Sequence, residues 1–267
     1  MVDKWDVFTT WQCVLPPSRP DNWQLLIIKE HLAAYKNPVV AVLGATIEFR
    51  DLLAECNISK VYVFEKNHHY FTEISQYRKH KNDEMLVWGD WLTTIKNYEG
   101  KFDVILSDLT SGNISYEQRD NFYKYISSAL TPNGVFIDRI LTKPNQFISE
   151  EFLIEKYKRL PATNRNANDF NCEFLFCSTL LDNDENIVNT NYLYDHLLSL
   201  QNPQINQFVD LCYLITPRNC IWWYSKPWHE EKVIYERYLN IVESYDEPIT
   251  SAYFGRGKLF LSKKKEQ

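Results

Sequence analysis

Glycine is unusually scarce in this chain: only seven of the 267 residues are glycine, where a share of about 7% is usual. Each of the few glycines is therefore a candidate position for a backbone conformation that other residues rarely adopt. A basic excess is also missing, because 29 Lys and Arg stand against 35 Asp and Glu and give a formal net charge of −6. This balance argues against a nucleic-acid-binding protein that works through bulk electrostatics.

Paired cysteines and long apolar runs are missing too. The six cysteines include no C-x-x-C, and the C-x4-C of Cys172 and Cys177 has no second ligand pair nearby, so we expect no metal site. No stretch reaches the roughly 20 apolar residues of a membrane span, and the N-terminus has no apolar signal region. With 45% hydrophobic residues, the chain can bury a sizeable core. We expect a soluble, cytoplasmic protein with no membrane partner and with reduced thiols.

Strand and helix patterns alternate through the first half of the chain. An amphipathic helix carries Leu25, Ile28, Leu32 and Tyr35, and a fully apolar run at 39–43 is typical of a strand buried on both faces. Further strands are predicted at 60–64, 85–88, 102–106 and 135–141, with helices at 49–56, 67–79 and 116–130. Strands that alternate with helices predict an α/β fold with a parallel sheet and helices on both faces.

The second half breaks this alternation. Helices are predicted at 146–159, 191–200 and 204–215, separated by polar, asparagine-rich stretches at 161–169 and 182–189. A helix at 229–239 and strands at 241–245 and 258–262 close the chain. We expect four parts: an N-terminal arm and helix (1–37), which is a possible lid, a cofactor-binding core (38–143), a mostly helical insertion or cap on the acceptor side (144–235) and the closing strands of the core sheet (236–267).

Polar residues and glycines follow each of the first four predicted strands. Ligands of open parallel sheets bind outside the carboxyl ends of the strands, so these residues are candidates for one site. They are Gly44, Ala45, Thr46 and Glu48 after the first strand, Glu65 and Lys66 after the second, Gly89, Asp90 and Trp91 after the third, and Asp108 and Leu109 after the fourth. Glu65 lies 21 residues beyond Gly44, the spacing at which an acid can bind the ribose hydroxyls of an adenosine ligand.

Each of these residues also has a plain structural interpretation. Gly44 can simply end a strand, Glu65 can be a solvated charge, Asp90 and Asp108 can cap helices, and Trp91 can belong to the core. Capping alone does not explain four such clusters at one sheet edge, so the joint pattern favours an adenosine-type cofactor.

The first loop discriminates between cofactors. A dinucleotide needs a glycine-rich turn, normally G-x-G-x-x-G, around its phosphates. Here the loop has one glycine, Gly44, and an acid, Glu48, which would repel a pyrophosphate but suits the ammonium of a methionine group. This favours S-adenosylmethionine over NAD.

Five segments resemble the motifs of class I S-adenosylmethionine-dependent methyltransferases, in order and spacing. They are VVAVLGATIEFRDLL, VYVFEKN, VWGDWL, FDVILSDLTSGNI and SSALTPNGVFIDRIL. The first is similar to a subgroup whose loop reads leucine-glycine-x-threonine-x-glutamate, and Ser18-Arg19-Pro20 resembles its N-terminal arm. The resemblance covers about residues 11–142, and the chain departs from the pattern at Ala45, Ile47 and Lys66.

The resemblance implies a Rossmann-like fold and a role for each matched position. Gly44, Thr46 and Glu48 would line the methionine part of S-adenosylmethionine, and Glu65 would bind the ribose. Asp90 and Trp91 would flank the adenine, while Asp108 and Leu109 would lie near the sulfonium. The product would be S-adenosylhomocysteine.

The acceptor side has fewer signals. Candidate catalytic residues are Asp108 and Tyr116, whereas His68, His69 and His229 fit ordinary surface or core positions better. Candidate substrate-binding residues are Trp11, Arg19, Asn113, Arg139 and Trp223. Arg139 can bind an acceptor carboxylate or pair with Asp138 or Asp103. Trp222, Trp223, Tyr224 and Trp228 can wall an apolar pocket or pack the cap onto the sheet. Trp5, Trp11 and Arg19 can close over the site as a lid.

Three functions remain open at this point. The first is a methyltransferase that acts on a small molecule or a short peptide, because Asp108-Leu109-Thr110-Ser111 stands where base and glutamine N-methyltransferases carry Asn-Pro-Pro-Tyr. The second is a catalytically silent methyltransferase fold that binds a cofactor or a partner. The third is an NAD-dependent oxidoreductase, which the single glycine of the first loop disfavours.

Overall fold

The computed structural model of the protein describes residues 11–144, 146–181, 187–223 and 226–265. Trp5 and Tyr224 lie outside these residues. The strands of the described residues are β1 (Val39–Leu43), β2 (Lys60–Glu65), β3 (Glu84–Trp88), β4 (Phe102–Asp108), β5 (Leu130–Leu141), β6 (Ile187–Asn189), β7 (Ile221–Trp223), β8 (Leu239–Asp246) and β9 (Gly257–Lys264). Their α-helices are α1 (Asn22–Leu32), α2 (Ile47–Glu55), α3 (His68–Ser75), α4 (Trp91–Thr94), α5 (Tyr116–Ala129), α6 (Glu150–Lys158), α7 (Asn164–Phe176), α8 (Thr190–Ser199), α9 (Pro203–Cys212) and α10 (Trp228–Tyr235).

Seven strands form the main sheet, in the order β3-β2-β1-β4-β5-β9-β8. Strands β1 to β5 are parallel, whereas β9 runs antiparallel to both β5 and β8. The predicted α/β fold with a parallel sheet is therefore confirmed, and the two closing strands join the same sheet. Because the first five strands run in one direction, the loops after β1, β2, β3 and β4 meet at one edge.

Helices cover both faces of the sheet, which explains the apolar run of β1. Val40 and Val42 pack in a core with α1 and α2, while Ala41 and Leu43 pack in a second core with α5 and α10. A strand covered on both sides needs apolar residues at consecutive positions. Helix α1 begins at a capping box, in which Asp21 is the N-cap and the Gln24 side chain accepts from the Asp21 N–H.

Helices α6 to α9 share a core of their own. Tyr157, Phe170 and Phe208 are fully buried in it, and the last two rings stack with centroids 5.0 Å apart. The 161–169 stretch was predicted to be polar and irregular, and this was wrong. Helix α7 begins at Asn164, and the Thr163 side chain accepts from the Asn166 N–H as its N-cap. Because asparagines are interspersed among the apolar residues of α7, its apolar positions do not stand out as a helical pattern in the sequence.

The 182–189 stretch was also predicted without regular structure, but its end forms β6, which pairs antiparallel with β7. The two strands are three residues long and far apart in sequence, so no local pattern indicates them. Three predicted helices end three or four residues earlier than expected: α3 at Ser75, α9 at Cys212 and α10 at Tyr235. After the end of α3, the Asp51 carboxylate accepts from the backbone N–H groups of Lys79 and His80 and so holds this segment against α2. Helix α10 ends four residues before β8 begins at Leu239.

Helix α10, at the end of the predicted 144–235 insertion, packs on the sheet. Trp228 stacks on Phe260 of β9 with ring centroids 4.7 Å apart. The ring centroids of Tyr235 and Tyr123 of α5 are 4.8 Å apart, and Tyr235 is fully buried. This helix therefore shares its core with the strands and not with α6 to α9.

Candidate functional site

The loop after β1 is fixed by one backbone carbonyl. Gly44 has φ +86°, a left-handed conformation that strains other residues. Its N–H donates to the Phe64 carbonyl at 2.8 Å, and the Trp91 Nε1–H donates to the same oxygen at 2.8 Å. This carbonyl therefore joins the first loop, the end of β2 and the start of α4. Trp91 supports the backbone of the loop from the core side, which was one of its two predicted interpretations.

Glu48 lies in the first turn of α2, after the buried Ala45 and after Thr46, which makes no side-chain cap bond. The Glu48 Oε1 atom is 3.2 Å from the Arg19 Nη1 atom. The Oε2 atom is buried and has no hydrogen-bond partner among the described residues. Burial raises the pKa of Glu48 to about 7; Asp108 adds to this rise, whereas the backbone N–H of Glu48 and the Arg19 guanidinium oppose it.

Glu65 ends β2 and is only 5% exposed. Its Oε1 atom accepts from the Asn67 N–H at 2.9 Å, and its carbonyl accepts from the Gly89 N–H at 3.2 Å. The next residue, Lys66, is exposed, and its carbonyl accepts from Trp88 Nε1 at 3.0 Å. The loops after β2 and β3 are thus held together, with the Glu65 carboxylate at their junction.

Asp90 and Trp91 follow Gly89, whose φ is +144°. The exposed Asp90 side chain accepts from the Leu92 N–H at 2.8 Å and caps α4. Trp91 is half-buried and packs in the core beneath β2. These contacts match the plain structural interpretations of both residues, and their roles at an adenine stay predictions.

Asp108 ends β4 and is held by a buried arginine. The Arg139 Nη1 atom donates to Asp108 Oδ1 at 2.9 Å, and its Nε and Nη2 atoms donate to Glu247 Oε1 at 3.3 and 3.2 Å. Nη2 also donates to the Pro17 carbonyl. Burial raises the pKa of Asp108, and Arg139 opposes that rise. Leu109, with φ +53°, donates its N–H to the Arg139 carbonyl at 2.8 Å.

The predicted partners of Arg139 were wrong. Asp138 is its neighbour on β5 and points to the opposite face of the sheet. Asp103 is near the start of β4, where its carboxylate accepts from the Val39 N–H. Arg139 is only 1% exposed, so its guanidinium is committed to Asp108, Glu247 and the arm, and it offers no open cation to an acceptor carboxylate.

Tyr116 and Trp223 meet at a second buried arginine. The Arg119 guanidinium lies 4.5 Å from the Tyr116 ring centroid and forms a 2.8 Å ion pair with Glu231. Its Nη2 atom donates to the carbonyls of Ser111 and Trp223 at 3.0 Å, which joins β7 to the turn that ends at Asn113. Burial raises the pKa of Tyr116 above 10, so at neutral pH its hydroxyl is a proton donor and not a general base.

The predicted aromatic cluster is divided between two places. Trp228 lies in the sheet core, as described above, while the Trp222 ring contacts Phe176 at 5.9 Å. Phe176 in turn contacts Tyr253 at 5.8 Å, and Leu109 packs beside Tyr253. Aromatic rings from β7, α7 and the β8–β9 connection therefore form a contiguous row, and Leu109 in the loop after β4 packs against the same cluster. The three candidate histidines, His68, His69 and His229, are all exposed.

The N-terminal arm, residues 11–20, is fixed at both the sheet and α7. The Arg19 guanidinium lies 5.6 Å from the Trp11 ring centroid. Asn168 of α7 accepts from the Leu15 N–H at 2.8 Å and donates to the Cys13 carbonyl at 2.7 Å. Together with the Arg139–Pro17 contact, these bonds bring the arm to the same sheet edge as Glu48 and Asp108.

Sequence reasoning missed two residues of this site. Glu247 holds Arg139 and accepts from Gln24 Nε2 at 2.9 Å. Both residues are buried, but an isolated glutamate between two closing strands and a glutamine at a helix start carry no motif. Asp138 is a third surprise: it is fully buried beside Ser107 of β4, and burial raises its pKa to about 7, although a hydrogen bond with Ser107 opposes that rise.

Neither a metal cluster nor a membrane helix is found in the described part of the chain. No group of three or more His, Cys, Asp or Glu side chains is placed to hold a metal ion. No helix in the described residues is long and apolar enough to cross a bilayer.

Comparisons with known proteins identify the fold. No protein-family model matches the chain, and no curated protein matches its sequence. Among solved structures, the CcbJ methyltransferase of Streptomyces caelestis superposes with a TM-score of 0.53 at 12% identity, over 94% of each chain. The 1,6-didemethyltoxoflavin-N1-methyltransferase of Burkholderia thailandensis, crystallised with its substrate and S-adenosylhomocysteine, gives 0.50 at 11% identity, over 92% of this chain and 78% of the other.

A further similar structure is described differently. A putative Zn-dependent alcohol dehydrogenase from Rhodobacter sphaeroides superposes with a TM-score of 0.59 at 16% identity, over 96% of this chain and 94% of the other. Identities this low establish the fold alone. The chain has the Rossmann-like fold of S-adenosylmethionine-dependent methyltransferases, with the seven-strand sheet and the helices on both faces that the resemblance implied.

Proposed function

We propose that this protein is an S-adenosylmethionine-dependent methyltransferase that acts on a small molecule. The observation that carries the proposal is the acidic edge of the sheet, where Glu65 and Asp108 end β2 and β4, and Glu48 and Asp90 lie in the segments after β1 and β3. S-adenosylmethionine carries a sulfonium and an ammonium, so an acidic edge attracts it. The same edge repels the pyrophosphate of NAD, and its first loop lacks the glycines that a pyrophosphate needs.

The donor groups fit this cofactor. The left-handed Gly44 keeps the first loop free of a side chain at the sheet edge. Glu48 has a buried oxygen that finds no hydrogen-bond partner in the described residues, and an ammonium would satisfy it. Glu65, held by the Asn67 N–H, would accept from the ribose hydroxyls, Asp90 and Trp91 would flank the adenine, and Asp108 would lie near the sulfonium.

Bound S-adenosylmethionine supplies an electrophilic methyl group, which passes to an acceptor by in-line displacement. The residues of this chain then act mainly by alignment and exclusion of water. Asp108, which is paired with Arg139 at 2.9 Å, would lie beside the positive charge at the reacting end. Phe176 and Trp222, which are both partly exposed, present aromatic surface near Leu109, and the buried Tyr253 packs behind Phe176. Such a surface suits a planar or apolar acceptor. The Burkholderia neighbour acts on a small molecule, which accords with this choice.

A catalytically silent protein is the second candidate, and it is favoured because no free general base is found among the candidate residues. The three candidate histidines are exposed, Tyr116 retains its proton, and Asp108 is bound to Arg139. An acceptor that must lose a proton before it attacks would find no free general base among these candidates. Acceptors that are already nucleophilic, such as a neutral amine or a heteroaromatic nitrogen, need none.

The test is calorimetric titration of the full chain with S-adenosylmethionine, S-adenosylhomocysteine and NAD. We expect micromolar binding of the first two and none of NAD. Glu65→Gln keeps the shape of the side chain but loses the charge, so it should weaken S-adenosylhomocysteine about 10- to 100-fold. Glu99→Gln, an exposed glutamate before β4, is the matched control and should change nothing. Binding of NAD alone, or equal effects of the two variants, would overturn the proposal.

Turnover separates the active enzyme from the silent one. Release of S-adenosylhomocysteine would be measured with a panel of heteroaromatic amines, phenols and short peptides. Turnover with planar amines or heterocycles supports the small-molecule assignment, and turnover with peptides alone contradicts it. Cofactor binding without turnover on any acceptor would favour the silent protein.

A further inference from the structure

The main sheet ends in two edge strands that are protected differently. At one edge, the pairing of β8 with β9 shifts register between Ile241 and Glu243, and Glu243 is exposed. Bulges and exposed charges are devices that keep an edge strand from pairing with another chain. At the other edge, β3 pairs with β2 in one unbroken register, and the side chain of its single charged residue, Glu84, is only 9% exposed. Strand β3 therefore lacks both devices.

The backbone of β3 has hydrogen-bonding groups on its outer side. The Gly89 N–H donates to the Glu65 carbonyl at 3.2 Å. Backbone groups alternate in direction along a strand, so those of Met85 and Val87 also face β2, whereas those of Leu86 point away from it. Within the described residues, β3 pairs with β2 and with no other strand. A strand from another protein therefore finds a donor and an acceptor at this edge.

A cavity lies beside β3, on the face of the sheet that α3 covers. It is open to solvent, has a volume of about 390 Å³ and is lined by Leu86 of β3, Phe71 of α3 and Lys81 among other residues. Trp88 lies on the same face of β3 as Leu86 and is 71% exposed. Because side chains alternate between the two faces of a sheet, alternate side chains of an added strand would lie beside Trp88 and beside the cavity.

Ion pairs fix the shape of this cavity. Arg50 and Arg78 both pair with the Glu84 carboxylate. The Arg50 guanidinium also lies 4.4 Å from the Phe71 ring centroid and donates to Ser75 Oγ at 2.7 Å. Strand β3 and helices α2 and α3 are thus held together, so little further ordering is needed when a ligand binds at this edge.

The segment before β3 is basic, although the chain as a whole has a net charge of −6. Residues 78–81 read Arg-Lys-His-Lys. Lys79 and Lys81 are exposed and form no ion pair with a carboxylate of the described residues. Lys60, the first residue of β2, is exposed as well, and Asp83 is the exposed acid beside these lysines. Three lysines against one acid favour a negatively charged occupant of this edge.

We propose that the outer edge of β3 (Glu84–Trp88) binds an extended acidic segment of a partner protein, which adds to the main sheet as an eighth strand. Backbone hydrogen bonds to Leu86 would hold the segment, and one of its apolar side chains would enter the cavity. Its acidic residues would meet Lys79 and Lys81. These lysines precede β3, whereas the acids proposed for the cofactor lie at or after the carboxyl ends of the strands, so a partner and a cofactor would bind at the same time.

The test is calorimetric titration of the full chain with blocked nonapeptides. The acidic probe has two glutamates at each end of the sequence Val-Thr-Val-Thr-Val. One control peptide has lysine in place of every glutamate. A second has proline in place of both threonines, which keeps the charge but prevents strand pairing. We expect micromolar binding of the acidic probe, and binding of both controls that is weaker by about tenfold or more.

Two protein variants test the backbone and the charge separately. Leu86→Pro removes an outward N–H, which an edge strand tolerates, and should weaken the acidic probe about tenfold or more, whereas Leu86→Ala keeps the N–H and should stay within about threefold of wild type. The pair Lys79→Glu and Lys81→Glu should also lose about tenfold or more. The matched pair Lys124→Glu and Lys232→Glu, at exposed lysines of α5 and α10, should change little. Unchanged S-adenosylhomocysteine affinity and thermal unfolding midpoints would exclude a folding defect.

Each other outcome would overturn the proposal. Equal binding of the proline-containing peptide would show a charged surface without strand addition. Tighter binding of a single-stranded oligothymidylate would identify a nucleic-acid surface. Dimers that sedimentation detects and that Leu86→Pro dissociates would show that a second copy of the chain covers β3. If Leu86→Pro does not fold, the lysine variants decide, and unchanged affinity in them contradicts the proposal. Failure of the wild type to bind S-adenosylhomocysteine would reject the proposed function alone.

Discussion

Binding of S-adenosylhomocysteine should depend on pH through Glu48. Burial holds the pKa of this carboxyl at about 7 in the free protein, against 4.5 in its ordinary state. A ligand ammonium needs the ionised form, so below pH 7 the protein must release a proton before it binds. Each pH unit below the pKa then costs about 1.4 kcal/mol, or a factor of ten.

The expected size follows from the ionised fraction. With a pKa of about 7, roughly three-quarters of Glu48 is ionised at pH 7.5 and about 3% at pH 5.5, so affinity should fall some 20- to 30-fold between these values. The α-amino group of the ligand stays protonated over this range. Calorimetry in buffers of different ionisation enthalpy should detect the release of about one proton per ligand at pH 5.5 and almost none above pH 8.

Glu48→Gln is the decisive control. The Glu48→Gln variant should bind S-adenosylhomocysteine weakly at every pH. Its affinity should not change with pH, because the amide does not titrate. Asp108 and Arg139 also lie at this edge, and Asp108 has a raised pKa of its own. If the affinity of the variant still depends on pH as in the wild type, the proton released on binding comes from Asp108 or another group. A flat profile in the wild type would refute the assignment of an ionised Glu48 to the ammonium.

Three further predictions concern stability. The folded-state pKa of Asp138 is about 7, above its ordinary 3.8, so its contribution favours the folded state at low pH and is lost as the pH rises to 7. The free energy of unfolding of Asp138→Asn, measured in urea, should therefore rise by about 3 kcal/mol relative to wild type between pH 5 and pH 8. A difference between the two proteins that does not change with pH would contradict a buried, protonated Asp138. Arg139→Gln leaves Asp108 and Glu247 without their cation and should cost about 3–5 kcal/mol; a cost under 1 kcal/mol in the same assay would show that the triad is not structural. Gly44→Ala has room for its methyl group, 3.8 Å from Trp91, so the cost of about 1–2 kcal/mol should come from the left-handed backbone, and an unchanged thermal midpoint would argue against that conformation.

The fold was readable from the sequence because burial on both sheet faces has a simple signature. The apolar run at 39–43 corresponds to β1, and the helical spacing of Leu25, Ile28 and Leu32 corresponds to α1. Helix α7 was missed because Asn168 and Asn171 point inwards, where they hydrogen-bond the arm and Thr216. A sequence does not distinguish a polar residue whose hydrogen bonds are made inside the protein from one that is solvated.

The site was only partly readable for a related reason. Residues directly after the strands could be named, since the parallel sheet places them at one edge. The ion pairs that fix them could not, because Arg139 meets Glu247 across 108 positions and Arg19 meets Glu48 from another element. Long-range pairs leave no local period, so the carboxylates considered for Arg139 from the sequence, Asp138 and Asp103, are not the ones it meets.

The position of β9 between β5 and β8 has a consequence for synthesis. Proteins emerge from the ribosome amino end first, so β5 waits for the last strand of the chain before its outer edge is covered. Arg119 likewise waits for Glu231, and Arg139 for Glu247. Until these late carboxylates arrive, two arginines destined for full burial have no counter-charge from them. The acidic edge, although its strand-end acids lie at residues 48–108, is thus completed only when Glu247 and β9 arrive, and loss of β8, Glu247 and β9 would disable a site whose strand-end residues all precede them.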